Sequence, residues 1–168
     1  MPNTFFIAAL HFGDDKIIKF ENRPFLCAKD MDMVLIDNWN FTVCKDDICF
    51  VLGDYSFHDR ERTAEITKSL NGKKYLVMGN HDTENEEYYY SCGFEGVSRF
   101  PIIFDGFWML SHEPLYICEN MPYANIFGHV HKNPIYTDYS KQSFCVCADR
   151  TNFAPISFNR IKELMGIT

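Results

Sequence analysis

The sequence predicts an α/β fold, with α+β character from a mixed sheet, and three observations carry that expectation. Five short apolar runs each lead into a residue able to bind a metal or a proton, helix-spaced segments lie between several of them, and one pair of runs flanks a turn dipeptide. The runs are Phe5 to Leu10 before His11, Ile48 to Leu52 before Gly53-Asp54, Tyr75 to Met78 before Gly79-Asn80-His81-Asp82, Phe107 to Leu110 before Ser111-His112, and Ala124 to Phe127 before Gly128-His129-Val130-His131. Four to six aliphatic, aromatic or β-branched residues closed by Gly or Ser suit buried strands better than helices. Reactive groups then gather at strand C-termini, the edge of an open α/β sheet where loops converge and ligands bind.

Helical signals fill the intervals. Asp30 precedes Met31, Val34, Leu35 and Asn38, with Phe41 and Thr42 continuing the spacing. Asp59 or Arg60 opens a segment carrying Ala64, Ile66 and Leu70 and closed by Asn71-Gly72, and Ser157 can cap Phe158 to Met165. Between Arg99 and Ser111 the rhythm breaks, because Asp105-Gly106 separates two apolar runs as a hairpin turn does. The sheet is therefore expected to be mixed. No internal repeat, low-complexity tract or linker interrupts the 168 residues, which are read as one domain, 1–168.

With 46% hydrophobic and 16% aromatic residues the chain can bury a sizeable core. Its net charge of -7, from 16 Lys plus Arg against 23 Asp plus Glu, argues against a stable duplex nucleic-acid complex, which needs a basic surface. A small nucleotide or a strand end could still be drawn in by bound cations. The seven cysteines are odd in number, scattered and mostly set in apolar runs, as buried free thiols are; Cys145 and Cys147 alternate on one strand face and read as packing. No run approaches the ~20 apolar residues that cross a bilayer, so no membrane association and a reducing cytoplasm are expected.

Five of the six histidines (His11, His81, His112, His129, His131) follow an apolar run, and Asp54 and Asn80 occupy equivalent places. Any one of them could be structural. Four His, one Asp and one Asn meeting at one sheet edge make a two-metal site, since an imidazole offers a lone pair and a carboxylate can bridge two cations. His129 and His131, at i and i+2 on a flat strand, would share a face and stand far enough apart to serve different metals. Divalent Mn, Fe or Zn suits such N/O ligands, with Mn the working expectation, and Mg suits them poorly.

The ordered series His11, Gly53-Asp54, Gly79-Asn80-His81-Asp82, His112 and Gly128-His129-Val130-His131 resembles the five blocks of calcineurin-like metallophosphoesterases, over residues 5 to 131. The resemblance implies a four-layer αββα sandwich with the metals between strand ends. One metal would take His11, Asp54 and His131, the other Asp54, Asn80, His112 and His129, with Asp54 bridging. His81 would be no ligand but the acid that protonates the leaving oxygen, and an imidazole pKa near ~6.5 suits that task. Asp82 could orient it, or could instead cap a helix over Thr83 to Ser91. Two cations flanking one water bring its pKa toward neutrality and neutralise phosphoryl charge, so the implied reaction is attack of a metal-bridging hydroxide on phosphorus.

The family's first block is Asp-x-His, and this chain has Ala9-Leu10-His11. One carboxylate on the first metal is missing, and weaker occupancy of that position follows. Asp14 could substitute if the loop after His11 folded back. An introduced change in an otherwise active enzyme is favoured over natural loss, because every other block is intact. The second block continues Tyr55-Ser56-Phe57-His58-Asp59-Arg60, unlike protein phosphatases, and the short chain leaves no cap domain; both features resemble small prokaryotic or phage phosphodiesterases. His58 could touch substrate or be a surface loop residue, and Arg150 could touch phosphate or be ion-paired. Tyr88-Tyr89-Tyr90 reads as a helix face. The expected activity is phosphodiester hydrolysis on a nucleotide or small organic phosphate, the alternatives being a phosphomonoesterase or a metal-binding scaffold without activity.

Overall fold

Alternating side-chain direction along the strands of the first sheet sorts the apolar residues into two cores, and these define the layers of the computed structural model, which describes residues 1–167. In chain order the elements are β1 (Thr4–Ile7), α1 (Asp15–Phe20), α2 (Ala28–Thr42), β2 (Ile48–Val51), α3 (Arg60–Ser69), β3 (Lys73–Val77), α4 (Glu86–Cys92) and β4 (Gly96–Ser98). There follow β5 (Ile102–Phe104), β6 (Trp108–Ser111), β7 (Ala124–Phe127), β8 (Ser143–Cys145), β9 (Ile156–Ser157) and α5 (Phe158–Met165). They build two mixed sheets, β4-β3-β2-β1-β9 and β5-β6-β7-β8. In the first, β1 to β4 run parallel and β9 is antiparallel; in the second, only the β5–β6 pairing is antiparallel.

Phe5, Ile7, Cys49, Val51 and Leu76 face helices and pack with Met31, Leu35, Trp39 and Ile66. Their neighbours Phe6, Ala8, Phe50, Leu52 and Val77 point to the other side and meet Trp108, Leu110, Ala124, Ile126 and Phe144 of the second sheet. This period of two is what a pleated strand imposes. Phe6 lies flat on Phe50 at 5.5 Å and edge-on to Phe104 at 5.9 Å, which ties the two sheets together. Helix α5, capped by Ser157 as expected, places Ile161 and Met165 in this same core between the sheets.

The expected strands stand where the apolar runs placed them, and the hairpin forms. Phe104 pairs with Trp108 across Asp105 and Gly106, both with positive φ. Several boundaries differ. Helix α2 starts at Ala28, not after Asp30, because Asp15 accepts the Ala28 N–H at 2.6 Å and supplies from outside the capping bond that the Cys27 side chain does not make. Helix α4 is capped by Asn85, so Asp82 is no helix cap. The short elements α1, β4 and β9 carried no sequence signal long enough to separate them from loops. Among the described residues no helix lies between β5 and β9, and on β7 the side chain of Asn125 meets the loop after β6. Asn125, fully buried there, accepts the Leu115 N–H and donates to Ser111 Oγ and Met109 O.

All seven cysteines are free, but Cys44 and Cys118 are exposed, contrary to the expectation of buried thiols. No described helix is long and apolar enough to cross a membrane.

The sheets meet most tightly at Gly128. A Cβ there would lie 2.4 Å from Ala8 Cβ and 2.9 Å from the Leu52 carbonyl oxygen. Gly128→Ala should therefore destabilise the fold by about 1–3 kcal/mol, as overpacking does, and a guanidinium unfolding midpoint measures it.

Candidate metal centre

At the C-terminal ends of β1, β2 and β7 the backbone turns left-handed. The φ angle is 54° at Ala9, 55° at His11, 56° at Asp54, 65° at His129 and 46° at His131. A residue with a Cβ takes this conformation at a cost on the order of 1–2 kcal/mol, so tertiary bonds must impose it. Ala9 N–H donates to Gly53 O at 2.9 Å and His11 N–H to Asp54 O at 3.0 Å, whereas the turn at His129 is closed locally by Val130 N–H on Gly128 O at 2.7 Å. His129 and His131 are thus not on a flat strand. Strand β7 ends at Phe127, and each histidine occupies its own left-handed turn residue.

These turns bring Asp54, Asn80, His112 and His129 together. His112 Nε2 lies 2.9 Å from Asn80 Oδ1, 3.0 Å from His129 Nδ1 and 3.3 Å from Asp54 Oδ2, and His129 Nδ1 is 3.1 Å from Asn80 Oδ1. The Leu52 carbonyl, 2.8 Å from His112 Nδ1, takes that nitrogen's proton as a hydrogen bond, so a neutral His112 aims a lone pair from Nε2. Acceptors then face acceptors: a carboxylate, an amide oxygen and an imidazole lone pair. A cation resolves that conflict. Donor atoms around a tetrahedral ion at about 2.1 Å stand roughly 3.4 Å apart, close to the separations here, and Asp54, His112 and His129 offer atoms all within 4.8 Å of one another. The glycines of the second and third blocks make room. A Cβ on Gly53 would lie 2.2 Å from His112 Nδ1, and one on Gly79 would lie 2.4 Å from Asp54 Oδ1.

Electrostatics follow from this packing. Burial pushes the Asp54 carboxyl up, but the neighbouring His11 and His112 imidazoles prevail and hold it well below the usual carboxylate range. For His112, burial works against protonation, and the Asp54 carboxylate outweighs it and raises the pKa. His129 moves down, through burial first and then the neighbouring His112.

Around the first position the groups are looser. His11 Nε2 stands 3.5 Å from Asp54 Oδ2 and is a buried nitrogen without a hydrogen-bond partner. The His11 and His131 rings are 5.2 Å apart. His131 Nδ1 is engaged by Asp149 Oδ2 at 2.9 Å. Ala9 is wholly buried and packs with Phe127, Val130, Cys145 and Cys147, so it supplies no ligand. The loop does fold back at Asp14, whose N–H donates to His11 O, yet its carboxylate meets His11 Nδ1 at 3.2 Å, across the ring from Nε2, while capping α1. Asp14 therefore supports His11 and does not replace the missing group. Glu21, His131 and Asp149 also come within 4.8 Å of one another. There the positive charge is already supplied by Arg23, bonded to both Asp149 oxygens at 3.0 and 2.9 Å.

His81 is exposed beside this centre, its N–H on Asp54 Oδ1 at 3.0 Å and its ring 5.7 Å from that of His11. Asp82 does not orient it. Its two oxygens accept the N–H groups of Asp54, Tyr55 and Gly79 at 2.7, 3.0 and 2.7 Å, so it joins two loops from beneath. Arg150 is not free for phosphate: it bonds the carbonyls of His131, Asn133 and Tyr136 and pairs with Asp138 at 2.9 Å. His58 is held by Asp32 at 2.6 Å and covers Gly13, behind the His11 turn. Phe57, which the sequence did not mark, stacks on His11 at 5.2 Å and 14°. A cavity of about 940 Å³ opens over these groups, walled by Lys16, Phe20, Phe57, His81 and Tyr136. Arg23 and Asp149 likewise went unmarked, since neither lies in a motif.

No family model matches the chain. Its fold is similar to that of the protein of unknown function AQ665 from Aquifex aeolicus, with a TM-score of 0.76 and 26% identity over 98% of this chain and 100% of that one. Pseudomonas putida nuclease MPE is similar in fold alone, at a TM-score of 0.51 and 21% identity over 76% of this chain and 61% of that one. The Gene 66 protein of Mycobacterium phage D29 is 34% identical over 52% of this chain and 44% of its own length. The uncharacterized protein MJ1445 of Methanocaldococcus jannaschii is 30% identical over 98% of this chain and 92% of its own. On that near end-to-end similarity, the chain belongs to the MJ1445 family.

Proposed function

We propose that this chain is a metal-dependent phosphoesterase of the calcineurin-like metallophosphoesterase type, acting as one domain on a phosphodiester. The observation that carries this reading is the convergence of four potential ligand atoms, Asp54 Oδ2, Asn80 Oδ1, His112 Nε2 and His129 Nδ1. The partnerless His11 Nε2 supports a second position shared through Asp54. Divalent cations bound there, with Mn the expected ion, supply acidification of a water and neutralisation of phosphoryl charge.

The protein's own groups do the rest. Asp54, kept ionised by its imidazole neighbours, stands between the two positions. The Leu52 carbonyl keeps the His112 lone pair at Nε2. Water oxygen adds to phosphorus and releases one proton to solvent, the ester P–O bond breaks, and the departing oxygen takes a proton from the imidazolium form of His81 on the cavity wall. Phe57 covers one face of His11 and excludes solvent from that side.

The cavity's aromatic rim of Phe20, Phe57 and Tyr136, with Lys16 beside it, fits a phosphate ester carrying a flat apolar group. A nucleotide diester or strand end meets that description, and the neighbour from Pseudomonas putida is by its name a nuclease. Ala9 favours a second reading, in which the first position is too weak for turnover and the protein only binds metal and phosphate ester.

Three measurements test these readings. His112→Ala should weaken the tightest Mn by at least ~10- to 100-fold, the usual scale for disturbing a metal shell, followed by titration calorimetry; unchanged affinity removes the metal reading. His81→Ala should leave Mn binding unchanged and slow diesters with poor leaving groups by ~10²- to 10⁴-fold, while an activated nitrophenyl diester is affected less. Ala9→Asp should tighten the second Mn equivalent and raise diesterase activity at least ~10-fold; an aspartate variant that binds no more metal and stays inactive across diesters and monoesters leaves the binding protein as the answer.

A further inference from the structure

Behind the first position lies a buried ion pair that the reaction does not use. The side chains of Arg23 and Asp149 are both fully buried and 2.9 Å apart. Arg23 Nη2 donates to Ala9 O at 2.7 Å and Nη1 to Leu10 O at 3.0 Å, so the guanidinium grips two successive carbonyls, those of the Ala9–Leu10 and Leu10–His11 peptides. Its Nε and Nη2 also donate to Asp149 Oδ1 and Oδ2, at 3.0 and 2.9 Å. Asp149 Oδ2 then meets His131 Nδ1 at 2.9 Å. One chain of bonds therefore runs from the turn that presents His11, through a guanidinium and a carboxylate, to the imidazole of His131.

We propose that Arg23 and Asp149 are a positioning pair: they hold the left-handed Ala9–His11 turn and preset His131 with its proton on Nδ1 and its lone pair on Nε2, ready for a cation. The inference rests on reading His11 and His131 as ligands of the first metal position. Three features support it. An ionised carboxylate at 2.9 Å accepts from Nδ1, so a neutral His131 has to carry its proton there. A carboxylate behind a ligating imidazole is the usual way a protein orients such a ligand and increases its basicity. Last, Ala9 is in a left-handed conformation unsuited to alanine, and the Arg23 bonds to Ala9 and Leu10 carbonyls act where the turn has no side chain of its own to hold it. Lysine could not replace this fork, because a single ammonium cannot make both bidentate and backbone contacts in one plane.

The test uses the full chain with zinc alone as the probe. Long-range proton–nitrogen NMR at about pH 8.5, about two units above an ordinary imidazole pKa, reads the tautomer of His131, assigned with His131→Gln. The expected spectrum shows His131 protonated at Nδ1 in the unsubstituted protein. In the double variant Arg23→Met, Asp149→Asn, which removes both charges and so strands neither, the expected spectrum shows a mixture shifted toward Nε2–H. Zinc titration should show a tight equivalent that perturbs His112 and His129 alike in both proteins. A weaker equivalent that perturbs His11 and His131 should lose a further ~10- to 100-fold in the double variant. Zinc bound at both positions with His131 tautomer and affinity unmoved by the double variant overturns the positioning pair and leaves the metal reading standing. No zinc at His112 and His129 in the unsubstituted protein overturns the metal reading itself and the pair's role with it. A variant that does not fold is replaced by Asp149→Asn, read by the same two criteria.

Discussion

Ala9, His11, Asp54, His129 and His131 all carry positive φ, and residues with a Cβ hold that conformation only where the surrounding bonds impose it. In this molecule those bonds run between strand ends. Ala9 N–H reaches Gly53 O and His11 N–H reaches Asp54 O, so the turn after β1 and the turn after β2 hold each other. The strand pairing beneath decides that these ends lie side by side: β1 and β2 run parallel in register, Ile7 opposite Val51. Loosening either sheet would release the turns, and the imidazoles would no longer meet. The centre is therefore a property of two sheets packed through Phe6, Phe50 and Phe104, well away from any ligand atom.

A second layer of carboxylates carries the same strain without touching substrate. Asp82 joins the Asp54 turn to the Gly79 turn by accepting three backbone N–H groups. Asp32 accepts from Gly13 N–H at 2.9 Å and from His58 at 2.6 Å, which fixes the loop after His11. Asp149 couples His131 to Arg23; burial pushes its carboxyl up, but the bond to His131 and the Arg23 charge hold it at about 2. Each is an acidic side chain taken out of water, which is costly unless several donors satisfy it, and each has at least two. The chain thus uses acids behind the site for shape and Asp54 within the site for charge.

The opening over the centre has a different character. Its walls carry aromatic side chains and one lysine, so apolar surface remains exposed where a core would have covered it. Phe20, at the end of α1, and Phe57, on the segment after Asp54, are both exposed there. The surface combines flat apolar groups with a charge, and it lies over the His11 and His131 imidazoles.

Residue identity and order by themselves determined the strands that the apolar runs mark, the hairpin at Asp105-Gly106, and the placing of His11, Asp54, Asn80, His112 and His129 after strand C-termini. Those signals are local: an apolar run with a polar stop is written in consecutive residues. Tertiary structure alone decided what the unmarked charges do. Arg23 and Asp149 are 126 residues apart, Asp82 and Asp54 are 28 apart, and no spacing rule joins residues that meet only after two sheets have packed. The same holds for the left-handed turns at His129 and His131, read from sequence as a flat strand, because an isolated chain would prefer the strand. At His131 long-range bonds to Arg150 and Asp149 outweigh that local preference, and they exist only in the folded molecule.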